Sequence, residues 1–288
     1  MKPIIAALTL FVIPGVAAAG TVATGHDAVT TPGQAVSVSA KFEKGGWRFW
    51  RPDIKDAPAT IRIQGRTITA HTDRDGVARA TIRPLQVGVY DLESSLDRDP
   101  GTVARGRLFV LDPTRPVAIV DLDGTLSKLP SLLVPLFGGV APTYEGAPEL
   151  IRDLAVTHTI VYLTARDDAF TKKSRKFLQR HNYPDGPILF NDLGLTSRPE
   201  LAQLKSGNHA KFKLARILAL EDRGVRLGLG IGNAETDAEA YERAGLPSYI
   251  RTRKHSPGRS YRFLEYSELR TRLVADGVLP VGLAAALP

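Results

Sequence analysis

The sequence predicts two fold classes in series, an all-β sandwich over residues 20–112 and a parallel-sheet α/β domain over 116–275. Three observations carry this. Up to Val110, short runs alternate apolar and polar residues, which is the period of strands with one buried face. The stretch Asp112-Pro113-Thr114-Arg115-Pro116 then has the composition of a linker. Beyond it, unbroken apolar runs alternate with helical patterns, as a sheet covered on both faces requires.

The chain opens with Lys2, an apolar stretch from Ile4 to Val16, and the small residues Ala17-Ala18-Ala19. This is the pattern of a secretory signal cut near Ala19-Gly20, so residues 1–19 are expected to direct export to the periplasm or the extracellular space. The apolar core is shorter than a bilayer span, which argues against a retained anchor. Strands are predicted at 35–40, 60–63, 67–70, 77–82, 88–92 and 107–110. Turn signals separate them at Pro32-Gly33, Gln64-Gly65, Asp75-Gly76 and Asp99-Pro100-Gly101. Trp47, Phe49 and Trp50 are read either as an aromatic binding patch or as a face packed on the second domain.

After the linker, strands are predicted at 117–120, 159–163, 187–190 and 225–231, with helices near 148–154, 169–181, 209–223 and 234–244. Residues 276–288 read as a tail. The 288 residues carry a formal charge of +8 and no cysteine. Zero cysteine excludes a thiol nucleophile, a thiolate zinc site and an iron–sulfur cluster. The positive charge is spread along the chain, consistent with mild attraction to anionic lipid or phosphorylated substrates and equally with a solvated surface. No basic and aromatic motif stands together, so nucleic acid is not expected as a partner. Nothing fixes an oligomeric state.

In a parallel α/β sheet, functional groups gather beyond the carboxyl ends of strands. Asp121 and Asp123 follow the first apolar run of this half, Thr164 the second and Gly232-Asn233 the fourth, while Lys211 opens the long helix. Asp121 and Asp123 would face opposite ways in an ideal strand, so the chain must leave strand geometry there, and Gly124 permits the turn.

The run Asp121-Leu122-Asp123-Gly124-Thr125, with the order of elements over residues 116–255, resembles the haloacid dehalogenase superfamily of phosphohydrolases. Tyr162-Leu163-Thr164-Ala165-Arg166, Pro184-Asp185-Gly186-Pro187-Ile188-Leu189, Lys211-Phe212-Lys213 and Gly232-Asn233-Ala234-Glu235-Thr236-Asp237 narrow the likeness. Together they look like the catalytic domain of lipin-type phosphatidate phosphatases and the carboxy-terminal domain of phosphatidylinositol-transfer proteins. The stretch from Thr72 to Tyr90 resembles bacterial immunoglobulin-like or transthyretin-like modules.

The resemblance implies a Rossmann-like domain with a minimal cap and a phosphatase mechanism. Asp121 is then the nucleophile that forms an aspartyl-phosphate, and Asp123 the general acid and base. Thr164 and Lys211 would hold the phosphoryl oxygens, with Lys205 and Lys213 as alternatives for the lysine. Gly124, Thr125 and Arg166 are assigned to substrate binding, although Arg166 in an exposed salt bridge fits as well. Asp121, the backbone carbonyl of Asp123 and Asn233 are assigned as ligands of Mg2+, with Asp237 as a further ligand or a supporting group. Asn233 stands where many members of the superfamily carry Asp, which removes one metal-binding charge.

Only about twenty residues separate Thr125 from Glu145, and residues 129–140 are strongly apolar. An open, apolar mouth suits a phosphorylated lipid such as phosphatidate, or another phosphomonoester. Lys172, Lys173, Arg175 and Lys176 on the neighbouring helical stretch read equally as an attraction to an anionic lipid surface and as a solvated face. The alternatives are internal packing of the insert, a module that binds phosphatidate without hydrolysing it, and a sandwich that carries the main function.

Overall fold

The structure, a computed structural model, describes residues 20–45, 51–129, 138–191, 206–254 and 258–282. The expected export signal, Trp47, Phe49, Trp50, most of the apolar insert and Lys205 lie outside the described residues.

Eight strands precede the linker: β1 (Thr21–Gly25), β2 (Ala28–Thr30), β3 (Val36–Lys44), β4 (Pro58–Ile63), β5 (Arg66–His71), β6 (Val77–Ile82), β7 (Gly88–Leu96) and β8 (Asp99–Val110). They form a sheet of order β1-β3-β6 and another of order β2-β8-β7-β4-β5, antiparallel except for the parallel β2–β8 pair. The period-2 pattern explains the packing. Along β3, Val36, Val38 and Ala40 are buried while Ser37 is exposed. Val36 and Val38 share a core with Ile61, Ile63, Leu92 and Leu108 of the other sheet.

Gln64 and Gly65 both have positive φ (50° and 70°) and close the β4–β5 hairpin in two residues, a conformation that Gly65 adopts without steric penalty and that matches the twist of the paired strands. The expected turn at Asp99-Pro100-Gly101 is displaced. The β7–β8 register closes at Leu96↔Asp99, so Asp97 and Arg98 make the turn and Pro100 sits near the start of β8, where a proline costs the ladder least.

The second half alternates β9 (Val117–Val120), α1 (Ala147–Thr157), β10 (Thr159–Asp167), α2 (Thr171–Arg180), β11 (Ile188–Asn191), α3 (Ser206–Glu221), β12 (Leu227–Gly232), α4 (Glu235–Arg243), β13 (Ser248–Arg251), β14 (Tyr261–Phe263) and α5 (Tyr266–Ala275). The strands form one parallel sheet of order β11-β10-β9-β12-β13-β14. In order of appearance this is 3-2-1-4-5-6, the doubly wound arrangement whose crevice opens where the chain reverses direction beside its first strand. All four residues of β9 are fully buried. Ala118 and Val120 meet α1, α2 and α5 on one face, while Val117 and Ile119 meet α3 and α4 on the other. Strands β13 and β14 and helix α5 extend the alternation past the last predicted helix. Leu279, placed in the tail by sequence, is buried against α5.

The two halves share a core and a set of ion pairs. Val29, Phe109 and Leu111 belong to the same apolar cluster as Val117, Ile119 and Ile217. The Asp27 carboxylate, with no exposed surface, accepts from Arg175 (2.7 Å) and from the Arg107 and Ile188 backbone N–H groups (3.0 Å each). Arg107 forms a fork with Asp185 (2.6 and 2.8 Å), and His26 meets Asp168 at 2.7 Å.

Candidate active site

Asp121 lies immediately beyond β9, where its N–H still donates to the Ile231 carbonyl of β12 at 2.9 Å. The chain then turns. Gly124 has φ 73°, a left-handed conformation, and a Cβ there would collide with the Asn233 side chain. The Gly124 N–H donates to Ser127 O, and the Leu126 and Ser127 N–H groups return to Leu122 O, so the loop closes on itself. This swings Asp123 out of strand geometry, as the spacing of the two carboxylates requires.

The Asp121 carboxylate is buried and receives donors on both oxygens. Lys213 Nζ donates to Oδ1 at 2.6 Å and Thr125 Oγ1 to Oδ2 at 2.9 Å. Lys213 also pairs with Asp237. Burial, opposed by Lys213 and reinforced by Asp237 and Asp123, pushes the Asp121 carboxyl up to about 7. For Lys213, burial works against the charged form, but the Asp121 and Asp237 carboxylates outweigh it and hold the ammonium well above the usual lysine range.

Of the candidate lysines Lys205, Lys211 and Lys213, the first lies outside the described residues. Lys211 is exposed, whereas Lys213, two positions on and so across the helix, points into the site. Of the two places expected for Asp237, metal ligand or supporting group, its contacts fit the second. Its Oδ1 accepts from Lys213, and its Oδ2 from the Asn233 and Ala234 backbone N–H groups at 2.9 and 3.1 Å. It therefore caps the start of α4 and anchors the lysine.

Thr125 is fully buried, with its hydroxyl on Asp121 and its carbonyl accepting from Tyr266 Oη at 2.6 Å, so it orients the nucleophile candidate instead of facing a substrate. Thr164 is also fully buried and accepts from the Arg166 N–H at 3.2 Å. Arg166 is 1% exposed in its side chain and forms a buried fork on Asp123, in place of the expected substrate contact or exposed salt bridge.

An oxygen-only donor set remains for a cation: the Asp121 carboxylate, the Asp123 backbone carbonyl and Asn233, whose Oδ1 lies 3.4 Å from Thr125 Oγ1. Among the described residues no three His, Cys, Asp or Glu side chains gather as a metal cage. One carboxylate with neutral oxygens and water suits Mg2+, which keeps much of its hydration shell.

Ser174, Tyr266 and His209 also surround the site and are not among the residues marked by the motifs. Only His209 had a sequence signal, its i, i+4 spacing from Lys213. Its Nε2 is buried without a hydrogen-bond partner among the described residues, and burial together with the Lys213 charge pushes its ring below the ordinary histidine range.

Residues 118–250 match the sequence model of the LNS2 domain of PITM 1-3. The chain is 29% identical over 186 residues to phosphatidic acid phosphohydrolase 1 of Saccharomyces cerevisiae, covering 57% of this chain and 21% of the relative. It is 31% identical over 176 residues to human membrane-associated phosphatidylinositol transfer protein 3, covering 60% and 16%. The chain thus spans about a fifth of the length of these curated relatives. Among solved structures, D,D-heptose 1.7-bisphosphate phosphatase from B. bronchiseptica, complexed with magnesium and phosphate, aligns with a TM-score of 0.40 and 16% identity over 56% of this chain and 99% of that one. The α/β half is therefore similar to a phosphatidate phosphohydrolase and to phosphatidylinositol-transfer proteins.

Proposed function

We propose that this chain is a magnesium-dependent phosphomonoesterase working through an aspartyl-phosphate on Asp121, with a phospholipid such as phosphatidate as substrate. One observation carries this reading: Asp121 is buried at the carboxyl end of the first strand of the doubly wound sheet, held by Lys213 and Thr125 with Asp123 two residues on. A carboxylate gripped at both oxygens by one cation and one hydroxyl is a pre-oriented nucleophile.

In the first step an Asp121 oxygen bonds to phosphorus as the phosphorus–leaving-oxygen bond breaks, and Asp123 gives the departing oxygen its proton. In the second step water attacks phosphorus, Asp123 takes the water proton, and the acyl–phosphate bond breaks to regenerate the Asp121 carboxylate. Lys213 faces the negative charge that develops on the phosphoryl oxygens, and Thr164 closes the phosphate pocket. Asp121, the Asp123 carbonyl and Asn233 would hold Mg2+, which neutralises the phosphate and brings it beside Asp121.

The wider reading follows. The N-terminal sheets form an immunoglobulin-like sandwich over residues 20–112, and the chain acts after export. Lys172, Lys173, Arg175 and Lys176 on α2 approach an anionic membrane, and Arg175 also pairs with Asp27. A second reading, phosphatidate binding without hydrolysis, follows from the similarity to phosphatidylinositol transfer proteins.

The test is phosphate release from phosphatidate vesicles and from p-nitrophenyl phosphate, with and without magnesium, for wild type and Asp121→Asn. Magnesium-dependent release from the vesicles, lost in the variant, supports the proposal. Turnover of the soluble ester alone rejects the lipid assignment. Vesicle binding without turnover of either supports the non-hydrolytic reading.

A further inference from the structure

Resting on the phosphatase reading, we infer that Arg166 is a positioning residue for Asp123, governing departure of the leaving group and not binding of phosphate. Its guanidinium is committed on three sides. Nε donates to Asp123 Oδ2 at 2.8 Å, Nη2 to Asp123 Oδ1 at 2.6 Å, and Nη1 to Ser174 Oγ at 2.8 Å. Its side chain is 1% exposed, whereas that of Asp123 is 13% exposed. To touch a phosphate, the guanidinium would have to release a carboxylate it grips at two points, in a site already supplied with a cation by Lys213.

The grip has a geometric consequence. Asp123 sits just before the left-handed Gly124, in a loop closed by backbone bonds that do not involve its carboxylate. A planar fork fixes the plane of a carboxylate as well as its distance, which a single ammonium does not. Arg166 is itself held from two elements, by its own N–H on Thr164 Oγ1 in β10 and by Ser174 in α2. Asp123 therefore inherits its orientation from the second strand and second helix of this half. That orientation matters when the phosphorus–leaving-oxygen bond breaks, its electron pair moves onto the leaving oxygen, and the protonated Asp123 carboxyl delivers its proton there from the remaining lone-pair position of an oxygen that still accepts from Arg166.

Leaving groups that need a proton should respond to loss of Arg166 and those that do not should be spared. The experiment measures kcat/KM, which reports the first phosphoryl transfer, and KM on hexyl phosphate and p-nitrophenyl phosphate. For Arg166→Met we expect a loss on the order of 10²-fold on the alkyl ester, the scale of a general acid contribution. The aryl ester should stay within about tenfold of wild type, because its oxide departs without a proton and general-acid help is not needed. KM stays unchanged on both. Arg166→Lys should keep the split, since it restores charge without the fork.

Equal losses on both esters with a raised KM would overturn the proposal in favour of a phosphate contact, and full rescue by lysine would overturn it in favour of charge alone. Should Arg166→Met fail to fold in a thermal melt, Ser174→Ala, which removes only the third bond of the guanidinium, is expected to show a smaller split in the same direction, and its absence counts against positioning. Wild-type protein that cleaves neither ester with magnesium present refutes the phosphatase reading itself, and the positioning role falls with it.

Discussion

Lys213 offers the sharpest test of the site, because an exposed neighbour serves as its control. Replacing it with Met keeps the length and removes the cation from between Asp121 and Asp237, whose side chains are 5% and 1% exposed. Breaking a buried ion pair by removing one partner costs roughly 3–5 kcal/mol, because Asp121 and Asp237 keep their burial and their neutral donors but lose the cation that offsets their charge. For a protein of this size 1 kcal/mol moves Tm by about 2–4 °C. Lys213→Met should then melt roughly 6–20 °C lower, within the product of those two ranges. It should also lose at least 10²-fold in kcat/KM, the order seen when one electrostatic stabiliser of a transition state is deleted.

Lys211→Met alters an exposed side chain and should stay within about 0.5 kcal/mol of wild type with unchanged turnover. Adding Asp237→Asn to Lys213→Met removes one stranded charge and should recover part of the lost stability, a coupling that a double-mutant cycle reads directly. The measurements are thermal melts and phosphate release for wild type, Lys211→Met, Lys213→Met, Asp237→Asn and the Lys213→Met/Asp237→Asn double variant. If Lys211→Met carried the losses and Lys213→Met behaved as wild type, the placement of the lysine and the reasoning built on it would be wrong.

Further outcomes follow from the same geometry. In metal-free buffer Asp121 has a folded value near 7 against 3.8 for the free group. Its contribution to stability is therefore full below about 3.8 and is lost as pH rises through about 7. Asp121→Asn should flatten the fall of Tm over that window, and an unchanged slope would refute the burial argument. Asp27→Ala strips a fully buried carboxylate from Arg175 and two backbone N–H groups across the two halves. Its cost should approach roughly 3–5 kcal/mol in denaturant melts, and a loss below 1 kcal/mol would show the halves are not tied there. Tyr266→Phe leaves the Thr125 carbonyl without its donor and should cost about 1–3 kcal/mol, read from the midpoint of urea unfolding.

Much of the fold was legible because it repeats locally. The β9 run Val117–Val120 has no polar face, and the even spacing of Val36, Val38 and Ala40 marks an inner face of β3, so period alone separated the two halves. Boundaries were less legible where pairing overrides local preference. Asp99-Pro100-Gly101 has the chemistry of a turn, yet the β7–β8 register makes it a strand. Strands β1, β2, β13 and β14 and helix α5 lie outside the expected elements, and the three residues of β2 and of β14 are too short a run to show a period.

The sequence by itself determined which residue types could act and where along the chain they stand: two carboxylates around Leu122, a threonine ending an apolar run, a lysine pair in the long helix and an asparagine after a glycine. Their positions beyond apolar runs follow from chain order and hydrophobic period, which are properties of neighbours in sequence. Only the tertiary structure decided which of them meet. Lys213 was chosen over Lys211 because the helix turns that position toward Asp121, 92 residues away. Arg166 was assigned to Asp123, 43 residues away, because β10 packs beside β9. Asp237 was given to a helix cap and a lysine by the close approach of α4 to the end of β12. Each choice depends on the rotation of a helix or the register of a sheet, and those are fixed by burying the whole core at once.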